Sequence, residues 1–210
     1  MRIGVLAVQG ACAEHEQMLA QIGVDSFEIR QKKDLKQEMD GLILPGGEST
    51  VMGKLLREQD ILEDLREKIV GGLPVLGTCA GLILLAQEVK EKREKGNSEK
   101  PRIDQESVTG YSGKMNKQYL ATLPVTVCRN AYGRQLGSFR AEGEIKGIGT
   151  FPMTFIRAPY VSACQEGVEV LAEVDGRIVG VRYQNQIGLA FHPEVTGDIR
   201  IHTWFADICR

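Results

Sequence analysis

Three short apolar runs, residues 3–8, 41–44 and 73–76, each lead into a glycine-bearing turn and then into apolar side chains at helical spacing. A strand covered on both faces reads as an unbroken apolar run, so this strand–turn–helix repetition is the pattern of a parallel sheet sheathed by helices. A helix is expected over about residues 12–22, with Met18, Leu19 and Ile22 on one face, and a further strand at 26–29. Val51, Leu55 and Leu56 begin a second helix, and Leu62, Leu65 and Ile69 continue its spacing. The first ninety residues therefore read β-α-β-β-α-β-α. An α/β fold in three layers, α/β/α with a mostly parallel central sheet, is the fold class expected.

The carboxyl half changes character. Residues 125–128, 154–157, 168–174, 177–182 and 187–191 look like strands at short intervals, Asp175-Gly176 marks a hairpin turn, and residues 198–209 form a closing helix. Between the halves, an insertion at about 90–118 is crowded with Lys, Glu, Arg, Ser and Asn and can bury little of itself. Residues 88–95 alternate in charge as a solvated helix extension would, and the rest reads as a loop. A lid or partner contact and a plain surface insertion both remain open for it. Residues 1–210 are expected to form a single domain.

With 26 basic and 28 acidic residues the net charge is −2, which gives no bulk electrostatic case for nucleic acid or an anionic membrane. The cysteines at 12, 79, 128, 164 and 209 are scattered and contain no close pair, so they read as reduced thiols in a cytoplasmic protein. The first apolar run is too short for a signal-peptide core, and no stretch approaches a membrane span.

The third apolar run ends in Gly77-Thr78-Cys79-Ala80-Gly81, followed at once by Leu82-Ile83-Leu84-Leu85-Ala86. This is a nucleophile elbow with sulfur in it: the glycines allow a sharp strand-to-helix turn that lifts the side chain at the carboxyl edge of the sheet. The helix amino terminus there favours the thiolate. A base is needed, and of His15, His192 and His202 only His192 stands in a telling place, in Phe191-His192-Pro193-Glu194 at a strand end. In extended backbone, residues two apart share a side, so Glu194 can reach the imidazole and complete a Cys-His-Glu relay. His15 and His202 lie among polar residues on expected helices and are read as solvated. No His, Cys, Asp or Glu cluster has metal-ligand spacing, so no metal is expected. Donors for a developing oxyanion are expected from the N–H of Gly47, in the turn Gly46-Gly47-Glu48-Ser49, and from the N–H of Ala80; a plain turn with Ser49 as helix cap is the alternative.

Pro45-Gly46-Gly47-Glu48-Ser49-Thr50, the elbow and Phe191-His192-Pro193-Glu194 resemble class I glutamine amidotransferases, a flavodoxin-like fold whose triad is Cys-His-Glu. Gly4-Val5-Leu6-Ala7-Val8-Gln9-Gly10, Arg129-Asn130-Ala131-Tyr132-Gly133-Arg134-Gln135 with Ser138-Phe139, and Phe155-Ile156-Arg157-Ala158-Pro159 are similar to the glutaminase subunits of pyridoxal 5′-phosphate synthases within that superfamily. The resemblance implies that Cys79 attacks the side-chain amide of L-glutamine, with His192 and Glu194 completing the relay, and that Gly47, Glu48, Ser49, Arg129, Ile156 and Arg157 contact the substrate. It implies no cofactor. It also implies a partner, a (β/α)₈-barrel synthase subunit that receives the ammonia for vitamin B6 synthesis and switches the glutaminase on by reorienting the turn near Gly46-Gly47. Gln9 is the candidate contact for that docking. Two enzyme alternatives, an amidotransferase feeding another acceptor and a γ-glutamyl hydrolase, and one non-enzyme alternative, a binding module on the same fold, stand beside this expectation.

Overall fold

The computed structural model describes residues 1–91, 119–129 and 137–210. Strand β1 (Arg2–Leu6), helix α1 (Cys12–Gln21), β2 (Asp25–Ile29) and β3 (Gly41–Leu44) come first, with a 3₁₀ turn at Lys32–Lys36 between β2 and β3. Helices α2 (Ser49–Glu58) and α3 (Leu62–Val70) follow, then β4 (Val75–Thr78) and α4 (Ala80–Leu85). All four residues of β3 and of β4 are buried, which is why both runs lack polar alternation. The expected long second helix is in fact two. Asp60 takes a left-handed conformation (φ 55°) between them, a conformation aspartate tolerates better than most residues, and each helix then buries its own stripe: Met52 and Leu56, then Leu62, Leu65 and Ile69.

β5 (Ala86–Glu91) starts where the expected helix extension would begin, so α4 ends at Leu85 and the reading of residues 88–95 as helix fails at its start. β5 pairs in parallel with β6 (Leu123–Arg129), which hydrogen-bonds the edge that a solvated helix would have left unpaired. The rest of the charged insertion lies outside the described residues, as does Asn130 to Gln135. In the second half, β10 (Glu169–Val174), β11 (Arg177–Tyr183) and β12 (Gln186–Leu189) stand close to expectation, and the closing helix α5 spans Arg200–Ile208. Asp175 and Gly176 both have positive φ (50° and 70°), as a two-residue hairpin turn matching the strand twist requires. β7 (Ser138–Ile145) and β9 (Tyr160–Cys164) have no counterpart among the expected strands, and β8 (Gly149–Ile156) is longer than its apolar core suggests.

The main sheet runs β2-β1-β3-β4-β12-β11-β9-β6-β5, with β10 paired to β11. Its first five strands are parallel neighbours, and antiparallel pairs begin at β12–β11. Helices pack in two groups, α1 with α5 and α2 with α3 and α4, giving the α/β layering expected. The hairpin β7–β8 forms a separate two-stranded ribbon. Phe139 stacks on its cross-strand partner Phe155 (centroids 4.6 Å apart), and Phe155 meets Phe191 edge-on at 5.8 Å. This cluster clamps the ribbon to the chain leaving β12.

Candidate active site

β3, β4 and β12 are adjacent and parallel, so the loops after them emerge side by side at one edge of the sheet. They carry Gly46-Gly47, Cys79 and His192. Register is tight at this edge: Thr78 pairs with Leu189, and the Cys79 N–H donates to the Leu189 carbonyl at 2.8 Å.

Cys79 is the N-cap of α4 and is held at φ 48°, ψ −97°, outside the regions that non-glycine residues ordinarily occupy. The expectation that the glycines supply the sharp turn needs correction, because neither Gly77 nor Gly81 has a positive φ. Their role is close approach: a β-carbon on Gly81 would overlap the Leu44 carbonyl, and one on Gly77 would lie 2.8 Å from the Gly81 carbonyl carbon. The strained residue is the cysteine. The residue is 7% exposed, and its thiol donates to the Ile156 carbonyl at 3.7 Å, at the end of β8.

His192 caps a 3₁₀ turn, Pro193–Val195, started by a proline whose fixed φ suits the first helical position. Glu194 therefore reaches the ring from a tight turn, not along an extended strand as the sequence suggested. The contact itself is short, with Nδ1 and Oε1 2.6 Å apart and both side chains buried. The His192 N–H is anchored on the Thr154 carbonyl of β8 at 2.8 Å. Burial works against a charge on this imidazole, but the Cys79 sulfur and the Glu194 carboxylate beside it outweigh that and push its pKa up to about 10. Burial likewise opposes the Glu194 charge, yet His15 and His192 together hold the carboxyl below the usual carboxylate range. The other ring nitrogen of His192, Nε2, has no hydrogen-bond partner among the described residues. A thiol at a helix start, beside an imidazole oriented by a buried carboxylate, is equipped for nucleophilic attack through sulfur.

His15 and His202 are not solvated. Both have no exposed surface, and they touch each other, His15 Nδ1 to His202 Nε2 at 2.9 Å. His15 Nε2 lies 3.2 Å from Thr78 Oγ1 and 3.4 Å from Glu194 Oε2. A signal for this was present in the helical spacing, since His15 stands three residues before Met18 and four before Leu19, and His202 three before Phe205. Polar identity masked a buried position.

The glycine turn is tied to the first loop. The Ala11 N–H donates to the Gly46 carbonyl (3.2 Å) and the Glu48 N–H to Gln9 Oε1 (2.8 Å), so Gln9 braces the turn from within the chain. Gly47 lies between these two anchors, and Ala80 opens α4, whose first-turn N–H groups have no helical acceptor by geometry. Glu48 is the cap of α2, its carboxylate accepting from the Thr50 and Val51 N–H groups; Ser49 does not fill that role, and its buried Oγ has no partner among the described residues. Arg129 crosses from the end of β6 to Glu48 Oε1 (3.2 Å) and Thr50 Oγ1 (3.0 Å). Glu48, Thr50 and Arg129 are thus one cluster, with Ser49 beside it in the chain. Ile156 and Arg157 stand over the cysteine side, both exposed, with Arg157 at φ 45° and its N–H on the Gly137 carbonyl at 2.7 Å.

The model of the SNO glutamine amidotransferase family matches residues 5–99 and 108–210. The chain belongs to the SNO glutamine amidotransferase family. Among its relatives, a Desulfitobacterium hafniense protein called pyridoxal 5′-phosphate synthase subunit PdxT is 58% identical over 207 residues, covering 99% of this chain and 92% of that one. A Streptococcus pneumoniae protein of the same name is 49% identical over 213 residues, covering 100% and 98%. A solved structure described as a glutamine amidotransferase superposes with a TM-score of 0.84 at 38% identity, over 99% of this chain and 98% of that one. PurLQS from Thermotoga maritima, at 13% identity and TM-score 0.63 over 100% of this chain and 99% of that one, shares the fold.

Proposed function

We propose that Cys79, His192 and Glu194 act as nucleophile, base and orienting carboxylate in hydrolysing L-glutamine to L-glutamate and ammonia. The chain is a glutaminase subunit of pyridoxal 5′-phosphate synthase, the role carried by family members with which it shares 49–58% identity over their length. The observation that carries the site assignment is the 2.6 Å pair between His192 and Glu194, set in the turn after the strand whose end hydrogen-bonds the Cys79 backbone.

Cys79 Sγ attacks the side-chain carbonyl carbon of glutamine with its proton held on His192 Nε2. The tetrahedral oxyanion draws on the Gly47 and Ala80 N–H groups, preorganised donors at a turn and a helix start. His192 then gives its proton to the leaving nitrogen, the C–N bond breaks, ammonia departs and a glutamyl thioester remains. Water attacks the thioester as His192 accepts its proton, and the C–S bond breaks to release glutamate, leaving the sulfur beside the His192 proton with which the cycle began. Glu194 remains ionised throughout and stabilises the imidazolium. Glu48 and Arg129 offer opposite charges to the α-ammonium and α-carboxylate, with Gly47, Ser49, Ile156 and Arg157 completing the pocket.

Ammonia passes to a (β/α)₈ synthase subunit docked on this edge. Gln9 sits where docking can reach the turn, because its side chain already holds the Glu48 N–H. A reducing cytoplasmic compartment is the one assigned, in keeping with five free cysteines. Cys79→Ala should abolish glutamate release while leaving the fold and partner binding intact. Undiminished turnover by that variant, assayed with the cognate synthase, would overturn the assignment.

A further inference from the structure

Behind the carboxylate of Glu194 lies a polar chain that the reaction above does not use. Glu194 Oε1 is taken by His192, but Oε2 is buried with no well-aligned hydrogen bond among the described residues, and the group facing it is His15 Nε2 at 3.4 Å. The same nitrogen is 3.2 Å from the hydroxyl of Thr78, the residue before the nucleophile. Elements far apart in sequence meet here: α1 supplies His15, β4 supplies Thr78, the turn after β12 supplies Glu194, and α5 supplies His202.

The tautomers follow from charge. A buried carboxylate oxygen facing an imidazole lone pair would set two acceptors against each other, whereas an N–H there compensates the anion. His15 therefore carries its proton on Nε2. Its Nδ1 is then an acceptor, so the 2.9 Å contact must be donated by His202 Nε2, which leaves His202 Nδ1 unprotonated; that atom has no partner among the described residues. Burial pushes both histidines toward the neutral form, with Glu194 pulling His15 the other way and His192 reinforcing burial. Glu14 on α1 is the remaining charge that bears on His15. A neutral donor suits the site, because an imidazolium at His15 would compete with His192 for the charge of Glu194.

We propose that His15 is a positioning residue for glutamine hydrolysis, a neutral Nε2–H donor fixed by His202 that holds Glu194 Oε2 and Thr78 together, so that base and nucleophile keep their alignment. This inference rests on the assignment of Cys79, His192 and Glu194 made above. It is tested in the assembled synthase complex with glutamine as substrate, comparing His15→Phe, which keeps bulk and loses the donor, with His15→Gln, which restores an N–H near the position of Nε2. The expected result is a kcat reduced roughly tenfold to a hundredfold in His15→Phe, with KM for glutamine and synthase affinity within about twofold, and recovery of most of kcat in His15→Gln. A His15→Phe protein that folds and retains wild-type kcat overturns the proposal, and so does equal loss in both variants. Nitrogen-15 NMR of the wild-type histidines gives a second reading that does not depend on either variant folding: an Nε2–H tautomer at His15 supports the proposal, and an Nδ1–H tautomer or a charged ring at neutral pH overturns it. Cys79→Ala run in parallel separates the two claims. Activity surviving in that variant removes the catalytic assignment itself, whereas an inactive Cys79→Ala beside fully active His15 variants removes only the role of His15.

Discussion

The imidazole of His192 lies against the Cα of Gly46, in the space a β-carbon at that position would occupy. The glycine turn after β3 and the histidine after β12 are therefore fitted to one another across β4, and glycine is required at 46 for the neighbour it faces rather than for its φ.

Gly46→Ala should force the ring aside, at a stability loss of about 1–3 kcal/mol, and lower kcat for glutamine hydrolysis by about a hundredfold. Thermal unfolding and steady-state kinetics measure both. The companion His192→Ala removes the obstructing ring, so the double variant should lose less stability than the sum of the single ones. Strict additivity would show that the two residues do not meet in this way.

Cys79 sits at φ 48° and ψ −97°, a conformation that disfavours any side chain. Both Cys79→Ala and Cys79→Gly should be inactive. The glycine variant should nonetheless be the more stable by about 1 kcal/mol, because glycine adopts this φ and ψ without a β-carbon to strain. Chemical denaturation of the two proteins checks this. Equal stabilities, or a more stable alanine variant, would mean that the elbow holds no strain.

The titrating groups set a stability maximum near pH 6.5. His202 is pushed down to about 3 in the folded protein, mainly by burial and then by His15, so between about 3 and 6.5 the unfolded chain binds a proton that the folded one refuses. Stability rises with pH through that window, by up to about 1.4 kcal/mol per pH unit for one group. His15, also depressed, acts in the same sense, and Glu194 adds a further loss below the usual carboxylate range. His192 acts oppositely. Its folded pKa, about 10, lies above the unfolded value, so its contribution is complete below 6.5 and is lost as pH rises toward 10. Melting temperatures from pH 4 to 10 should trace this peak, and Cys79→Ala should soften the alkaline fall because the sulfur is one cause of the shift. A curve still climbing at pH 9 would contradict the proposed coupling.

Parts of this molecule were readable one residue at a time. The strand at Gly41–Leu44 carries its bounds in the sequence, because a segment buried on both faces admits no polar residue and the Pro-Gly-Gly after it cannot continue a strand. The expected site residues come from local motifs whose residue types suggest chemistry before any distance is known. Other features resisted local reading. β7 alternates exposed and half-covered residues and pairs only with β8, so its identity as a strand depends on a partner that its own residues do not name. β5 is a strand because β6, from beyond the charged insertion, supplies its hydrogen bonds.

The histidines mark the boundary most clearly. Composition and spacing determined that a thiol, an imidazole and a carboxylate would stand at strand ends, since period and turn chemistry act over a few residues. Tertiary structure alone decided that β3, β4 and β12 lie side by side, and that His15 meets His202 from 187 residues away, behind Glu194. A polar side chain on a helix is equally compatible with water or with a buried partner, and only the packing of α1 against α5 removes the water.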